Sequence, residues 1–413
     1  MTFNFALASC PEENPPNNGT GDDIDNNDND NDEPGDDNKP DSIIDEIIAA
    51  LSGQEGTEKN NPAVLKLELE LAGMNSPDGN WQKILTAIDT VGKYVALDLS
   101  ACANPASYFY PAYKISIGKN KIVSLILPDA VNSITGLEND NDNAFKHFIN
   151  LEYISGKNIT HIGSYAFYNC QNLKEIDFPA VTVIESSAFQ ECKNLTEAVF
   201  PQAKLIGSNA FDGCINLETV NIPKITIIDQ RTFNRCASLT EVNFPSVTII
   251  GDYAFNGCVN LEKAEFPANP ERTTAPAHPL DPWRYKIPGI PCTSDSVLVH
   301  AMAFNGCASL KTLDFRNAWN VYFAGHSLAN IGTHLDIYLF DDDGTKSYGH
   351  PQVDLILGND DTKKTLETIK LILPDTANSR VIYHHTNPTE GGYHGIAVYI
   401  FGIFGVPVEM ERY

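Results

Sequence analysis

The chain has 413 residues, with 28 Lys and Arg against 54 Asp and Glu, a formal net charge of −26, and 42% hydrophobic residues. The acid excess leaves no basic stripe for nucleic acid or an anionic membrane surface, so neither is an expected partner. The apolar share supports a folded core, and no run approaches the ~18 apolar residues of a membrane-spanning helix.

The charge is uneven. Residues 1–46 hold 14 acids and one base, half of the net charge. The chain opens MTFNFALASC, and Leu7-Ala8-Ser9-Cys10 resembles the end of a bacterial lipoprotein signal, with Cys10 as the lipidation site. Residues 1–10 are therefore expected to be a signal remnant. The apolar run before Cys10 falls short of the ~7–15 residues of a signal core and no base precedes Lys39. That leaves two options, a start site further upstream or a free Cys in a disordered leader. Residues 11–40 are an Asp/Asn-rich tract too polar to offset its ordering entropy, and a disordered linker is predicted. Asp28, Asp30 and Asp32 have the spacing of a calcium loop. Glu33 and Lys39 stand where that loop needs Gly and Glu, so no metal is assigned.

Asp41–Leu51 reads as a short helix capped by Asp41 or Ser42, and Asn80–Val91 as a second, with Asn80 as cap and Ile84, Leu85, Ile88 and Val91 on one face. Strands are expected at Leu65–Leu71, Val95–Leu99, Val123–Leu127, Leu335–Phe340 and Thr368–Leu373.

A repeat then dominates. Phe145, Phe167, Phe189, Phe211, Phe233 and Phe255 recur every 22 residues. Ala or Thr precedes each. Phe148, Cys170, Cys192, Cys214, Cys236 and Cys258 stand three residues later, and Leu151, Leu173, Leu195, Leu217, Leu239 and Leu261 three further on. Pro179, Pro201, Pro223, Pro245 and Pro267 follow, and Ile162, Ile184, Ile206, Ile228 and Ile250 form another column. One copy, AFYNCQNLKEIDFPAVTVIESS, cannot bury its own apolar set, whereas stacked copies can. Alternation from Glu175 predicts a short strand with Ile176 and Phe178 inward, ended by Pro179. Stacking gives one long parallel sheet.

These columns resemble the BspA-like leucine-rich repeats of bacterial surface proteins, closely from Ala144 to about Phe315. The resemblance implies a leucine-rich-repeat solenoid of α/β type, with short helical or extended segments on the convex side. It also implies non-catalytic binding at the cell surface or outer membrane: adhesion to an unidentified protein, matrix or glycan ligand, with membrane contact only through the lipid anchor. The predicted organisation is residues 1–10 signal remnant, 11–40 linker, 41–143 helices and degenerate capping repeats, 144–316 regular repeats, and 317–413 degenerate repeats with a C-terminal cap. The alternatives are a shielding surface lipoprotein without a specific ligand and, remotely, an enzyme.

The outward strand positions form two columns, the candidate binding face: Glu175, Glu197, Thr219, Glu241 and Lys263, and beside them Asp177, Val199, Asn221, Asn243 and Glu265. The seventh Phe, Phe304, arrives 27 residues late, which places an insertion at 269–295 with six Pro and Trp283, Arg284 and Tyr285. These three are either interface anchors or part of a loop covering the solenoid flank. The cysteine column, continued by Cys307, reads as stacked buried thiols, because a ladder does not converge on a metal. Cys102 and Cys292 lie outside it, with their pairing open. No G-x-S-x-G, P-loop or HExxH pattern occurs. His384, His385 and His394 have only Glu390 nearby as a fourth ligand, so no metal or cofactor is expected. Ile396–Val408 is predicted to pair as terminal strands sealing the last coil.

Overall fold

The computed structural model describes residues 42–71, 78–103, 106–111, 117–134, 144–266, 296–315 and Ile331. Beyond these it describes the strands Asn4–Ala6, Asn320–Phe323, Leu335–Tyr338, Gln352–Leu357, Ile369–Ile372, Arg380–Thr386, Tyr393–Phe401 and Pro407–Arg412. Each 22-residue repeat makes one coil with three sides, and the solenoid follows from stacking these coils in register.

The first side is a three-residue strand: Glu175–Asp177, Glu197–Val199, Thr219–Asn221, Glu241–Asn243 and Lys263–Glu265 in successive coils. The central residue turns inward. Ala198, Val242 and Ala264 are buried, while their neighbours face solvent or sit half-buried. Pairing is parallel and advances one repeat per step, as in Glu197↔Thr219 and Glu241↔Lys263.

The second side is a two-residue strand carrying the Ile column, such as Val183–Ile184 and Leu205–Ile206, also paired in parallel. Two residues are too few for alternation to show in a sequence. The solenoid thus carries two ranks of parallel strands where the sequence pattern displayed one. Each rank is broken along its length, the first into sheets of six, two and five strands and the second into sheets of five and eight.

The third side holds the Ala-Phe segment and forms a hydrogen-bonded ladder without strands. Tyr165, Phe167 and Asn169 donate their N–H groups to the Ser186, Ala188 and Gln190 carbonyls of the next coil, at 3.1, 2.8 and 2.8 Å. Asn209, Phe211 and Gly213 repeat this toward Gln230, Thr232 and Asn234. All these donors point along the chain direction because left-handed residues flank each Phe. Tyr165, Ser187, Asn209, Arg231, Tyr253 and Met302 have φ between 55° and 59°. Two residues after the Phe, Asn169, Glu191 and Arg235 have φ of 59° to 62°, and Gly213, Gly257 and Gly306 of 73° to 77°. Such non-glycine conformations cost ~1–3 kcal/mol each and persist only where the surroundings over-determine them. The three ladder bonds per coil do that here.

Inside, the Phe column stacks: Phe167–Phe189, Phe189–Phe211, Phe211–Phe233 and Phe233–Phe255 have centroid distances of 5.0, 5.3, 5.6 and 5.4 Å with interplanar angles of 15° or less. A second file, Phe244, Phe266 and Phe315, runs beside it at 6.1 and 5.5 Å. The cysteines complete the coil. Cys192, Cys214, Cys236, Cys258 and Cys307 are buried and free, and each thiol donates to the preceding coil's Phe carbonyl at 3.0–3.2 Å. That carbonyl also accepts the N–H of its own coil's cysteine, as Phe167 does from Cys170 at 3.1 Å, so both lone pairs are used. Cys102 is also free, and its thiol donates to Leu67 O at 3.3 Å. Cys292 lies outside the described residues.

Two helices cover the N-terminal end of the stack. Helix α1 spans Ser42–Ser52 and helix α2 Asn80–Val91. Trp81, Ile84, Leu85, Ala87 and Ile88 of α2 are buried. Trp81 meets Phe109 edge-on at 5.7 Å, Phe109 meets Phe145 at 6.3 Å and Phe145 meets Phe167 at 4.6 Å, so the cap feeds into the aromatic column. Asn80 is not the cap of α2. Gly79 holds that position, with φ −68° and ψ 153°, and the Asn80 side chain instead donates to Glu70 O at 2.7 Å, tying the helix to the neighbouring loop. Lys93 donates to Leu51 O, Ser52 O and Gln54 O, a cation on the orphan carbonyls at the end of α1.

Beyond the regular repeats the ranks continue through Asn320–Phe323, Gln352–Leu357 and Arg380–Thr386, and through Leu335–Tyr338 and Ile369–Ile372. Tyr393–Phe401 then pairs antiparallel with both Arg380–Thr386 and Pro407–Arg412. At the other end Asn4–Ala6, inside the segment read as a signal remnant, pairs in parallel with Ala63–Glu68. Cleavage before Cys10 would make Ala63–Glu68 the edge of the first rank.

Candidate functional site

Register, more than any single strand, builds the candidate face. Parallel pairing with an advance of 22 residues sets equivalent outward positions side by side, at about 4.8 Å per coil. Glu175, Asp177, Glu197, Val199, Thr219, Asn221, Glu241 and Asn243 are all exposed on the first rank. Lys263 and Glu265 are half-buried and pair with each other at 2.7 Å. Both predicted columns therefore lie on one surface.

A flanking column, one residue before each strand, was not singled out in the sequence. It adds Glu152–Lys174 at 2.7 Å and Glu262–Lys311 at 2.9 Å. Among the described residues of these coils, Lys174, Lys263 and Lys311 are each thereby matched by an acid. Glu175, Asp177, Glu197 and Glu218 form no salt bridge among the described residues, and the face is left with an excess of negative charge.

A second polar array runs along the third side. Asn305 donates to Asn256 at 2.6 Å, Asn256 to Asn234 at 2.7 Å and Asn234 to Asp212 at 2.7 Å. Arg235 reaches Asp212 Oδ1 through Nε and Nη2, and Glu191 Oε1, two coils away, at 2.7 Å. Gly213 lies between them, and a Cβ there would stand 2.7 Å from Glu191 Oε1. The column one residue after each Phe carried this signal in its Asn and Asp residues.

Acid–base chemistry finds no arrangement to work with at the one Ser–Glu–His grouping among the described residues. His161 Nε2 lies 2.8 Å from Glu185 Oε1, and Ser164 donates both its N–H and its hydroxyl to Glu185 Oε2. The carboxylate stands between the two, so the imidazole does not serve the hydroxyl as a base. Burial would raise the Glu185 carboxyl, but the hydrogen bonds from Ser164 and His161 outweigh it and hold it below its ordinary value. In the open depression lined by Glu55, Thr57, Glu58 and Asn61, the Asn61 side chain donates to Glu55. Burial pushes the thiols up, Cys102 to about 11 and Cys170 and Cys307 to about 12, away from the thiolate form that a nucleophile or a metal ligand needs. No group of three or more His, Cys, Asp or Glu among the described residues could hold a metal ion, and none of their helices is long and apolar enough to cross a membrane.

Several predicted positions fall elsewhere. Cys10, Trp283, Arg284, Tyr285 and Glu390 lie outside the described residues. His384 and His385 fall on the strand Arg380–Thr386 and His394 on Tyr393–Phe401.

Short parallel strands on two of the three sides of each coil and a continuous aromatic column define a leucine-rich-repeat solenoid. Over residues 117–224 and 204–277 the chain matches the BspA type leucine rich repeat region, in six copies. No curated protein matches the chain. Among solved structures it is similar to a leucine-rich repeat protein from Bacteroides ovatus, with 21% identity, 66% of this chain and 65% of that one covered, and a TM-score of 0.39. The chain thus spans just under two thirds of that protein's length. It is also similar to a leucine rich cell surface protein from Faecalibacterium prausnitzii (21% identity, 57% and 73% covered, TM-score 0.33) and to the pneumococcal vaccine antigen PcpA (15% identity, 68% and 85% covered, TM-score 0.26).

Proposed function

We propose that this chain is a non-catalytic binding protein of the bacterial cell surface, tethered through Cys10 and the acidic tract 11–40, and that it recognises its partner on the first-rank sheet face. The observation that carries this is the charge pattern of the face. Lys174, Lys263 and Lys311 are matched, while Glu175, Asp177, Glu197 and Glu218 project without a counter-ion in consecutive coils. A cationic segment of a protein laid along the face would meet a carboxylate at nearly every ~4.8 Å step. No aromatic residue stands in the two candidate columns between Glu175 and Glu265, and Tyr153, in register beside Glu175, is half-buried, so a protein ligand fits the charged stretch better than a glycan.

Two experiments test the proposal. Mass spectrometry of the native N-terminus should find an acylated Cys10, and an unmodified Met1 would rule out the anchor. A pull-down against matrix proteins and glycans, with intact protein and with a variant lacking 269–295, should capture a basic protein in both cases. Capture of glycans alone would contradict the assignment to the face.

A further inference from the structure

The corner between the third side and the first rank carries a column of its own, four residues after each core Phe. Ile149, Ile215 and Val259 stand there, and they are 63%, 42% and 43% exposed. Seven large hydrophobic residues are exposed among the described residues, so nearly half of them share this one column. Ala237 and Ala308 fill the coils after Ile215 and Val259, so from Ile215 onward the column is apolar throughout. Backbone bonds hold the corner in register: Ser238 donates its N–H to Ile215 O at 3.1 Å, and Ser309 to Val259 O at 3.2 Å.

Packing does not require these apolar side chains. Cys214 and Leu217 fill the interior on either side of Ile215, and both are fully buried. Gln171 and Lys193 hold the same column in coils with the same interior, so a polar residue serves the fold equally well. The large apolar residues are instead coupled to charge. Three residues on, at the edge of the first-rank face, Ile149 is followed by Glu152, Ile215 by Glu218 and Val259 by Glu262. The coils with Gln171, Lys193, Ala237 and Ala308 carry Lys or Thr at that place. Glu152 and Glu262 pair with lysines of the next coil, while Glu218 is exposed and forms no salt bridge among the described residues.

We infer that the partner is an amphipathic basic segment of a protein, whose apolar side chains cover Ile215 and Val259 while its cations meet the carboxylates of the adjoining face. This rests on the binding role proposed for the first-rank face and names what its partner must carry. Charge complementarity sets the cationic half, through Glu218 and, in the neighbouring coils, Glu197 and Glu241. The corner column sets the apolar half. Ile215 and Val259 lie two coils apart, about 10 Å. Apolar residues two turns apart on a helix are separated by about 10.5 Å, so one helix face can seat on both. Basic residues on the flank of that helix then lie toward the acidic columns.

Two synthetic helical peptides of equal length and equal Lys content serve as probes, one with Leu two turns apart beside the lysines and one with Ser in place of each Leu. The Leu peptide should bind the intact chain about 10-fold more tightly than the Ser peptide, and Ile215→Gln/Val259→Gln should cut that advantage to about 2-fold or less. Gln171 already occupies the same column, so this variant should keep the melting temperature of the intact chain. Glu175→Lys/Glu197→Lys/Glu241→Lys should weaken both peptides alike. Equal binding of the two peptides, or a Leu advantage that survives Ile215→Gln/Val259→Gln, overturns the inference and leaves the binding role of the face standing. If neither peptide binds, or if the triple Lys variant binds both as the intact chain does, the proposed role of the face falls and the inference falls with it.

Discussion

At the residue scale, the fold depends on backbone positions that look unremarkable in the sequence. Gly257 and Gly251 lie six residues apart and are needed for different reasons. Gly257 is left-handed, at φ 74°, but a Cβ there would meet nothing closer than 3.8 Å. Gly251 has no such conformation, but a Cβ would lie 2.8 Å from the Asp229 carbonyl carbon and the Gln230 nitrogen of the preceding coil. Gly257→Ala should therefore cost about 1 kcal/mol, the conformational penalty alone. Gly251→Ala should cost about 2–3 kcal/mol, because backbone must move. Equal losses in denaturant melts would contradict this assignment.

The buried ionisable groups set a pH response. Burial pushes the column thiols up, so the folded state keeps protons that an unfolded chain releases near its ordinary value of 9.0. Their contribution is complete below that value and is lost as pH rises toward about 12, so stability should fall above pH 9. Lys119 works in the opposite sense. It is fully buried, 6.0 Å from the Phe148 ring centroid, and burial lowers it to about 8. Its charged form is disfavoured in the fold, and the penalty is lifted as pH rises from about 8 to its ordinary 10.5. Lys119→Met should stabilise the protein at pH 7, by up to about 3 kcal/mol, and steepen the alkaline loss. Unchanged urea midpoints at pH 7 and pH 10 would disprove the buried charge.

At the scale of elements, each coil contributes an aromatic ring, a thiol and a ladder segment to its neighbours and little to anything more distant. Phe211 stacks between Phe189 and Phe233 and touches Phe200 at 6.2 Å. Phe211→Ala should cost about 3–5 kcal/mol. Hydrogen exchange should rise first in the coils carrying Phe189 and Phe233, with the α1–α2 cap protected longest. Uniform loss of protection would mean that the stack melts as one unit. This columnar logic is why the repeats were legible in the sequence: a Phe every 22 residues, then Cys and Leu at fixed offsets, can be read without coordinates. The second rank was not legible, because a two-residue strand has no period. Nor were the left-handed positions, since Tyr165, Arg231 and Met302 have side chains that ordinarily avoid that conformation. The Asn80 cap misled for a related reason, as a side chain able to cap a helix found a better acceptor in Glu70 O across the loop.

For the molecule as a whole, the net charge of −26 separates into two parts. Half belongs to the N-terminal 46 residues, which include the proposed tether. The rest is spread over the solenoid, and part of it is concentrated on the first-rank face. The columns of that face were readable from the strand alternation, but their excess charge was not. It depends on Lys174 and Lys311 turning toward Glu152 and Glu262, which only register brings together. The most direct measurement is the dissociation constant of a captured basic protein for three proteins: the intact chain, the variant Glu175→Lys/Glu197→Lys/Glu241→Lys, and Arg231→Glu, whose change lies on the third side. Recognition through the first-rank face predicts at least a 10-fold loss for the triple variant, no loss for Arg231→Glu, and affinity for the intact chain that weakens as salt is raised. Equal affinity for the intact chain and the triple variant would contradict it.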